Sequence, residues 1–156
     1  MKLKIREARQ IHQAAMSITS GTHMIATRHD KGEFTTTQIP YELDDKARWN
    51  LIKNATLLER AIKVADKCAE AISRECEQKN GGALPTRATN PQLFAEYLTR
   101  METLEDREEA MPLLRVKRSG LREGENHGIP GVVLAALFPV LVDDVSVDES
   151  GEVIAD

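Results

Sequence analysis

Aromatic residues are scarce in this chain. Three Phe, two Tyr and one Trp make up 4% of its 156 residues, so the core is expected to be aliphatic. Two cysteines are too few for the disulfide framework of a small secreted domain. Cys68 and Cys76 stand eight residues apart. On one helix their Cα atoms would lie about 12 Å apart, whereas a disulfide needs less than about 7 Å. Free thiols in a reducing compartment are the expectation, with a cross-chain disulfide as the alternative. No apolar run reaches the roughly 18 residues of a membrane span. The longest, Val132 to Val142, is interrupted by Pro139. Behind Lys2, Lys4 and Arg6 there is no apolar stretch of the kind a secretory signal carries.

Catalytic and metal motifs are missing as well. His12, His23, His29 and His127 fall at no established ligand spacing, and neither His-Glu-x-x-His nor Cys-x-x-Cys occurs. There is no Gly-x-Ser-x-Gly, and both cysteines fall on an apolar helical face, where a thiol is inert. Glu102, Glu105, Asp106, Glu108 and Glu109 alternate with Arg100 and Arg107, which reads as a solvated face. A non-enzymatic protein without a cofactor is the expectation.

A strong charge of one sign is the last absence. The net charge is −4, which disfavours a general nucleic-acid coat and hence nucleic acid as a partner. The distribution is lopsided, however. Residues 1–31 carry six Lys/Arg against two Asp/Glu, while residues 140–156 carry six acids and no base. Lys2, Lys4, Arg6 and Arg9 come without the aromatics that stack on bases. The simpler expectation is that the basic end of one copy meets the acidic end of another.

Helical periodicity dominates what is present. Ala8, Ile11, Ala15 and Ile18 form one stripe of a helix over residues 3–19. Residues 27–41 lose that pattern, and Asp30-Lys31-Gly32 before a threonine-rich stretch reads as a hairpin or an extended connector. Asp44 or Asp45 then caps a helix expected to run to Lys79, where Asn80-Gly81-Gly82 stops it. Within it Leu51, Ala55, Leu58, Ile62, Ala65, Ala69, Ile72 and Cys76 step by 4, 3, 4, 3, 4, 3 and 4, an unbroken heptad seam. Ala61, Val64, Cys68 and Ala71 widen it. The seam fits either an intramolecular bundle with the first helix or a coiled-coil contact with another copy or a partner. Asn90-Pro91 opens a further helix to Glu105, with Phe94, Tyr97, Leu98, Met101 and Leu104 on one face. Residues 111–116 are a short strand candidate that could continue to Arg118. An apolar helix of about ten residues follows Pro130, with Pro139 to kink or end it.

The most site-like segment runs from Arg118 to Gly131, between the strand and the last helix. It contains four glycines with Arg118, Arg122 and His127, and the backbone N–H groups of the following helix could hold an anion. Glu123 and Glu125 oppose that, and no Walker or Gly-x-Gly-x-x-Gly pattern is present.

Ile39-Pro40-Tyr41-Glu42-Leu43 followed by Ala47-Arg48-Trp49-Asn50-Leu51-Ile52-Lys53-Asn54 resembles small uncharacterised proteins of tailed bacteriophages. Leu114-Arg115-Val116 and Leu134-Ala135-Ala136-Leu137-Phe138-Pro139 match their short strand and apolar C-terminal helix, so the likeness spans residues 37–142 in outline. It implies a phage or prophage origin and a virion-associated or accessory role, and it transfers no catalytic residue. It draws attention to Tyr41, Trp49 and Asn54. Tyr41 and Trp49 could staple the connector to the long helix, and Asn54 could be a buried polar residue that sets register.

The expected fold is mainly α with a minor β element. A long central helix is packed in a helical bundle, with a short strand or hairpin and an apolar C-terminal helix. Residues 1–142 are expected to form a single helical domain and residues 143–156 an acidic tail or small hairpin. The expected function is that of a self-associating phage structural or accessory protein, in the infected bacterial cytoplasm or on the virion. Its interaction surface is Leu51, Ala55, Leu58, Ile62, Ala65, Ala69 and Ile72, and its partners are itself or another phage or host protein, with no membrane. The alternative is a protein that sequesters a nucleotide-like signal and so counters host defence, binding the small anionic ligand through Arg118, Arg122 and His127.

Overall fold

The computed structural model describes residues 1–28, 34–122 and 129–143. In chain order the elements are β1 (Lys2–Lys4), α1 (Ile5–Ser20), β2 (Thr22–Arg28), β3 (Phe34–Pro40), α2 (Asp45–Lys79), α3 (Pro91–Glu105), β4 (Glu108–Ala110), β5 (Val116–Lys117), a 3-10 turn (Ser119–Leu121), α4 (Gly131–Leu137) and β6 (Leu141–Val142). The fold is mainly α with minor β, and a long helix packs against others. The strands form three separate two-stranded sheets. The His29–Asp30 turn, His127 and the hairpin expected beyond Asp143 lie outside the described residues.

Local chemistry accounts for the helix ends. Asp44 Oδ1 accepts from the Ala47 N–H at 2.7 Å and so caps α2. α2 is 35 residues long, about 52 Å at 1.5 Å per residue. Gly81 and Gly82 have φ of 79° and 101°, the left-handed backbone that ends the helix. Asn90 Oδ1 accepts from the Leu93 N–H at 3.2 Å, with Pro91 in the first helical position.

The chain forms two compact units, Met1–Gln10 with Thr56–Pro112, and Ile11–Ala55 with the chain from Leu113 onward. α1 and α2 each contribute one stretch to each unit.

In the first unit β1 pairs antiparallel with β4, with Leu3 opposite Glu109. Leu3, Ile5, Ala8, Leu58, Ala65, Leu104 and Met111 are buried there, as are Cys76 and Leu93. Ion pairs frame this core. Lys4 and Arg6 reach Asp106 at 3.0 and 2.9 Å, and Arg9 bridges Asp66 at 2.7 Å and Glu105 at 3.1 Å. Burial alone would lower the pKa of the Arg9 guanidinium, but hydrogen bonds and charge from Asp66 and Glu105 outweigh it and raise the pKa. On α3, Phe94, Tyr97 and Met101 are half-buried, but Leu98 is exposed, against the expectation of one apolar face. Tyr97 and Arg100 face α2, the first beside Ser73 and the second on Glu75 at 2.7 Å, and this sets the rotation of α3.

In the second unit Ile11, Ala15 and Ile18 of α1 are buried, completing the stripe read from Ala8. β2 and β3 form an antiparallel hairpin in register from Thr22 opposite Pro40 to Arg28 opposite Phe34. It settles the choice between hairpin and connector and begins five residues before the periodicity fades at Thr27. Tyr41 is buried beneath it, its ring 4.9 Å from that of His23, and its carbonyl accepts from Arg48. Trp49 is not part of this staple, because it is 58% exposed. His23 Nδ1 is buried without a hydrogen-bond partner among the described residues. His23→Phe keeps a ring against Tyr41 and removes that atom. The expected result is a gain of about 1 kcal/mol, or about 3 °C in Tm by scanning calorimetry; a loss of stability would show that the imidazole is satisfied in solution.

Of the strand expected from residue 111 onward, only Val116–Lys117 forms, as β5, while β4 ends just before it at Ala110. Pro112 lacks a donor, and the backbone of Leu114 is bound by a side chain instead of a strand. Asn54 Nδ2 donates to the Leu114 carbonyl at 2.8 Å, and the Leu114 N–H donates to Asn54 Oδ1 at 2.7 Å. β5 pairs in parallel with β6, Val116 opposite Leu141. α4 between them has seven residues where ten were expected, because it stops before Phe138-Pro139.

Candidate functional site

Arg118 and Arg122 flank the 3-10 turn, and each is engaged by other groups. Arg118 lies 3.9 Å from Asp143 and over the Phe138 ring, 5.8 Å from its centroid. Arg122 takes a left-handed conformation, φ 47°, and reaches Glu42 at 3.5 Å. Gly120 between them is buried against Asp44 and Ala47. The two arginines therefore serve two different carboxylates, and no shared anion cradle is described around them. Among the described residues, no three His, Cys, Asp or Glu side chains group as metal ligands would.

The heptad seam divides along its length. Leu51, Ala55, Leu58 and Ala65 are buried within the chain. Ile62, Ala69 and Ile72 are only half-buried. In the first unit these half-buried positions are interleaved with buried ones, and the last residue of the seam, Cys76, is buried. Ala69 lines an open concavity of about 550 Å³ with Asp66, Ser73 and Glu77. Ile72 lines another of about 890 Å³ with Thr99, Arg100 and Thr103 of α3. α2 and α3 form a two-helix layer here, tied by Arg100–Glu75 and by Lys79–Glu96 at 3.2 Å. Two helices leave half-covered positions that a third element would bury.

A smaller cavity of about 250 Å³ lies between Ile5, Ala61, Ala65 and Leu104, with the Arg107–Glu109 ion pair at its rim. It offers apolar walls and one neutralised pair, with no set of acid, base and nucleophile.

The basic N-terminal segment is largely neutralised within its own unit, since Lys4, Arg6 and Arg9 all hold carboxylates of α2, α3 or the residue after α3. These pairs leave little of the positive surface on which docking between the ends of two copies would depend. Sequence periodicity also hides a surface of α2. Trp49, expected as a staple, stands outward with Lys53 Nζ 5.3 Å from its ring centroid. The apolar 3-4 repeat at residues 51–76 draws the eye, while exposed Lys46, Lys53, Arg60, Lys63 and Lys67 lie about half a turn away from it. No helix among the described residues is long and apolar enough to cross a membrane. No protein-family model, no curated protein and no solved structure matches the chain.

Proposed function

We propose that the protein is a non-enzymatic, self-associating interaction module, a structural or accessory component of the kind that the resemblance to tailed-phage proteins implies. It would act in the cytoplasm of the infected bacterium or on the virion. One observation carries the reading. Three seam residues of α2, Ile62, Ala69 and Ile72, are only half-buried, and the last two line open concavities, that of Ile72 shared with α3. Full burial of an isoleucine is worth about 1.5–3 kcal/mol, so covering the remaining surface of Ile62 and Ile72 gains a fraction of that at each and favours a partner helix. A second copy offers the same row, and a two-fold contact is self-complementary.

Ile72→Asp tests this directly. In sedimentation velocity the wild-type protein is expected above monomer mass at high concentration, and the variant at monomer mass with its helical circular dichroism intact. A wild-type protein that stays monomeric at millimolar concentration sinks the reading.

A further inference from the structure

A cavity within the first unit combines apolar walls with a charged rim. It measures about 250 Å³ and lies between Ile5 at the start of α1, Ala61 and Ala65 of α2 and Leu104 near the end of α3. Ala61 and Ala65 stand four residues apart, on one face of α2. Their methyl groups are too short to fill the space that Ile5 and Leu104 leave. Ile5, Ala65 and Leu104 are buried, whereas Val64, which also lines the cavity, is 57% exposed and marks its open side. Protein interiors rarely keep voids larger than a water molecule, and a water needs polar partners that these side chains lack. An apolar hole of about 150 Å³ already admits benzene, so this one has room for a branched aliphatic side chain. The rim is of the opposite character. Arg107 and Glu109 flank Glu108, a spacing that puts two side chains on one side of an extended chain, and they pair at 2.6 Å. Their backbone is held in place. The Ile5 N–H donates to the Arg107 carbonyl at 3.1 Å, and Glu109 lies opposite Leu3 in the β1–β4 ladder. The carboxylates on either side of the turn after α3 are engaged elsewhere, Asp106 by Lys4 and Arg6 and Glu105 by Arg9.

We propose that this cavity binds a free aliphatic α-amino acid of the leucine class. The ligand's side chain would fill the space between Ile5, Ala61, Ala65 and Leu104, its carboxylate would meet Arg107, and its ammonium would meet Glu109. A guanidinium has five N–H donors and a carboxylate about four acceptor sites, so each can keep the other and still hold the ligand. A rim with one charge of each sign suits a zwitterion. A fatty carboxylate of the same shape would be repelled by Glu109, and an amine by Arg107. The seam residues Ile62, Ala69 and Ile72 do not line the cavity, so the site does not depend on self-association.

Isothermal titration of the full chain with L-leucine is expected to saturate, with a dissociation constant of about 1 mM or tighter. Isocaproate, which is leucine without its ammonium, and isoamylamine, which is leucine without its carboxylate, should each bind about tenfold more weakly. Glycine keeps the head group and should give no saturable heat. Glu109→Gln should weaken leucine about tenfold and strengthen isocaproate, a reversal that a loss of folding would not produce. Ala61→Leu puts a side chain into the cavity and should abolish leucine binding with the helical circular dichroism intact. Absence of saturable heat with leucine overturns the proposal. So does equal binding of leucine and isocaproate, which would identify an apolar occupant held by the walls alone. Unaltered leucine binding by Glu109→Gln also overturns it, and decides the matter even where Ala61→Leu does not fold.

Discussion

Asn54→Ala is expected to lower stability by about 3 kcal/mol, a fall of about 10 °C in Tm for a chain of this size. Asn54 is 0% exposed, and its amide holds both backbone groups of Leu114 at 2.7 and 2.8 Å. Truncation removes two hydrogen bonds and leaves an N–H and a carbonyl facing a small cavity, which is the costly side of the balance. Asn50 gives the segment a second hold through the Arg115 carbonyl at 2.7 Å, but it lies at the surface and is the weaker of the two. Asn54→Asp separates the amide's two roles. A carboxylate retains the acceptor for Leu114 N–H but turns an oxygen towards the Leu114 carbonyl. Only the protonated acid can donate there, so folding raises the pKa of this aspartate above its unfolded value. Its destabilisation is therefore smallest at acid pH and deepens as pH rises through the folded pKa. A urea titration at two pH values measures it; a variant equally stable at both would show that the Asn54–Leu114 contact is open to water.

The same contact shows where the sequence is informative and where it is not. Asn54 stands one residue before Ala55 of the seam, and that position alone suggests a buried polar group with a structural role. Its partner is 60 residues away, and no local pattern points to it. Helix ends were legible because caps are local chemistry. Asp44, Asn90-Pro91 and Asn80-Gly81-Gly82 each act within five residues of themselves. The short strands were not legible. β1 and β4 have three residues each and pair Lys2 with Ala110, so neither shows an alternation long enough to read. The hairpin was legible in its second strand, through the threonines, but not in its first, where the α1 pattern had only just ended.

The candidate surfaces follow the same division. The seam was legible as apolar, but which of its residues would be covered was not. Ile62, Ala69 and Ile72 differ from Leu58 and Ala65 only in having less of the fold over them. The exposed cations of α2 were hidden by averaging. From Lys46 to Lys67 there are six bases and two acids. Net charge sums opposite faces of a helix and so conceals how charge is distributed between them. At the N-terminus, the equally prominent Lys4, Arg6 and Arg9 are occupied by Asp106, Asp66 and Glu105, which only the fold could bring to them.

Gly120→Ala is expected to cost about 3 kcal/mol, although it adds a single methyl group. A Cβ at this position would lie 2.5 Å from Asp44 Oδ2 and 2.8 Å from the Ala47 Cβ. Neither neighbour can yield easily. The other oxygen of Asp44 caps α2 through the Ala47 N–H, and the Asp44 N–H donates to the Gly120 carbonyl at 3.0 Å. Moving the turn breaks the second bond, and moving the carboxylate breaks the first. Asp44→Ala alone removes the cap and should cost about 1 kcal/mol. In that background one of the two clashes is gone, so Gly120→Ala should cost about 1 kcal/mol less than in the wild-type protein, a coupling expected of residues in contact. Strict additivity in a urea double-mutant cycle would mean that the turn moves away from the start of α2 without disturbing its cap. Non-additivity would identify the packing of Gly120 on Asp44 as the contact that anchors the 3-10 turn, and with it Arg118 and Arg122, to the long helix.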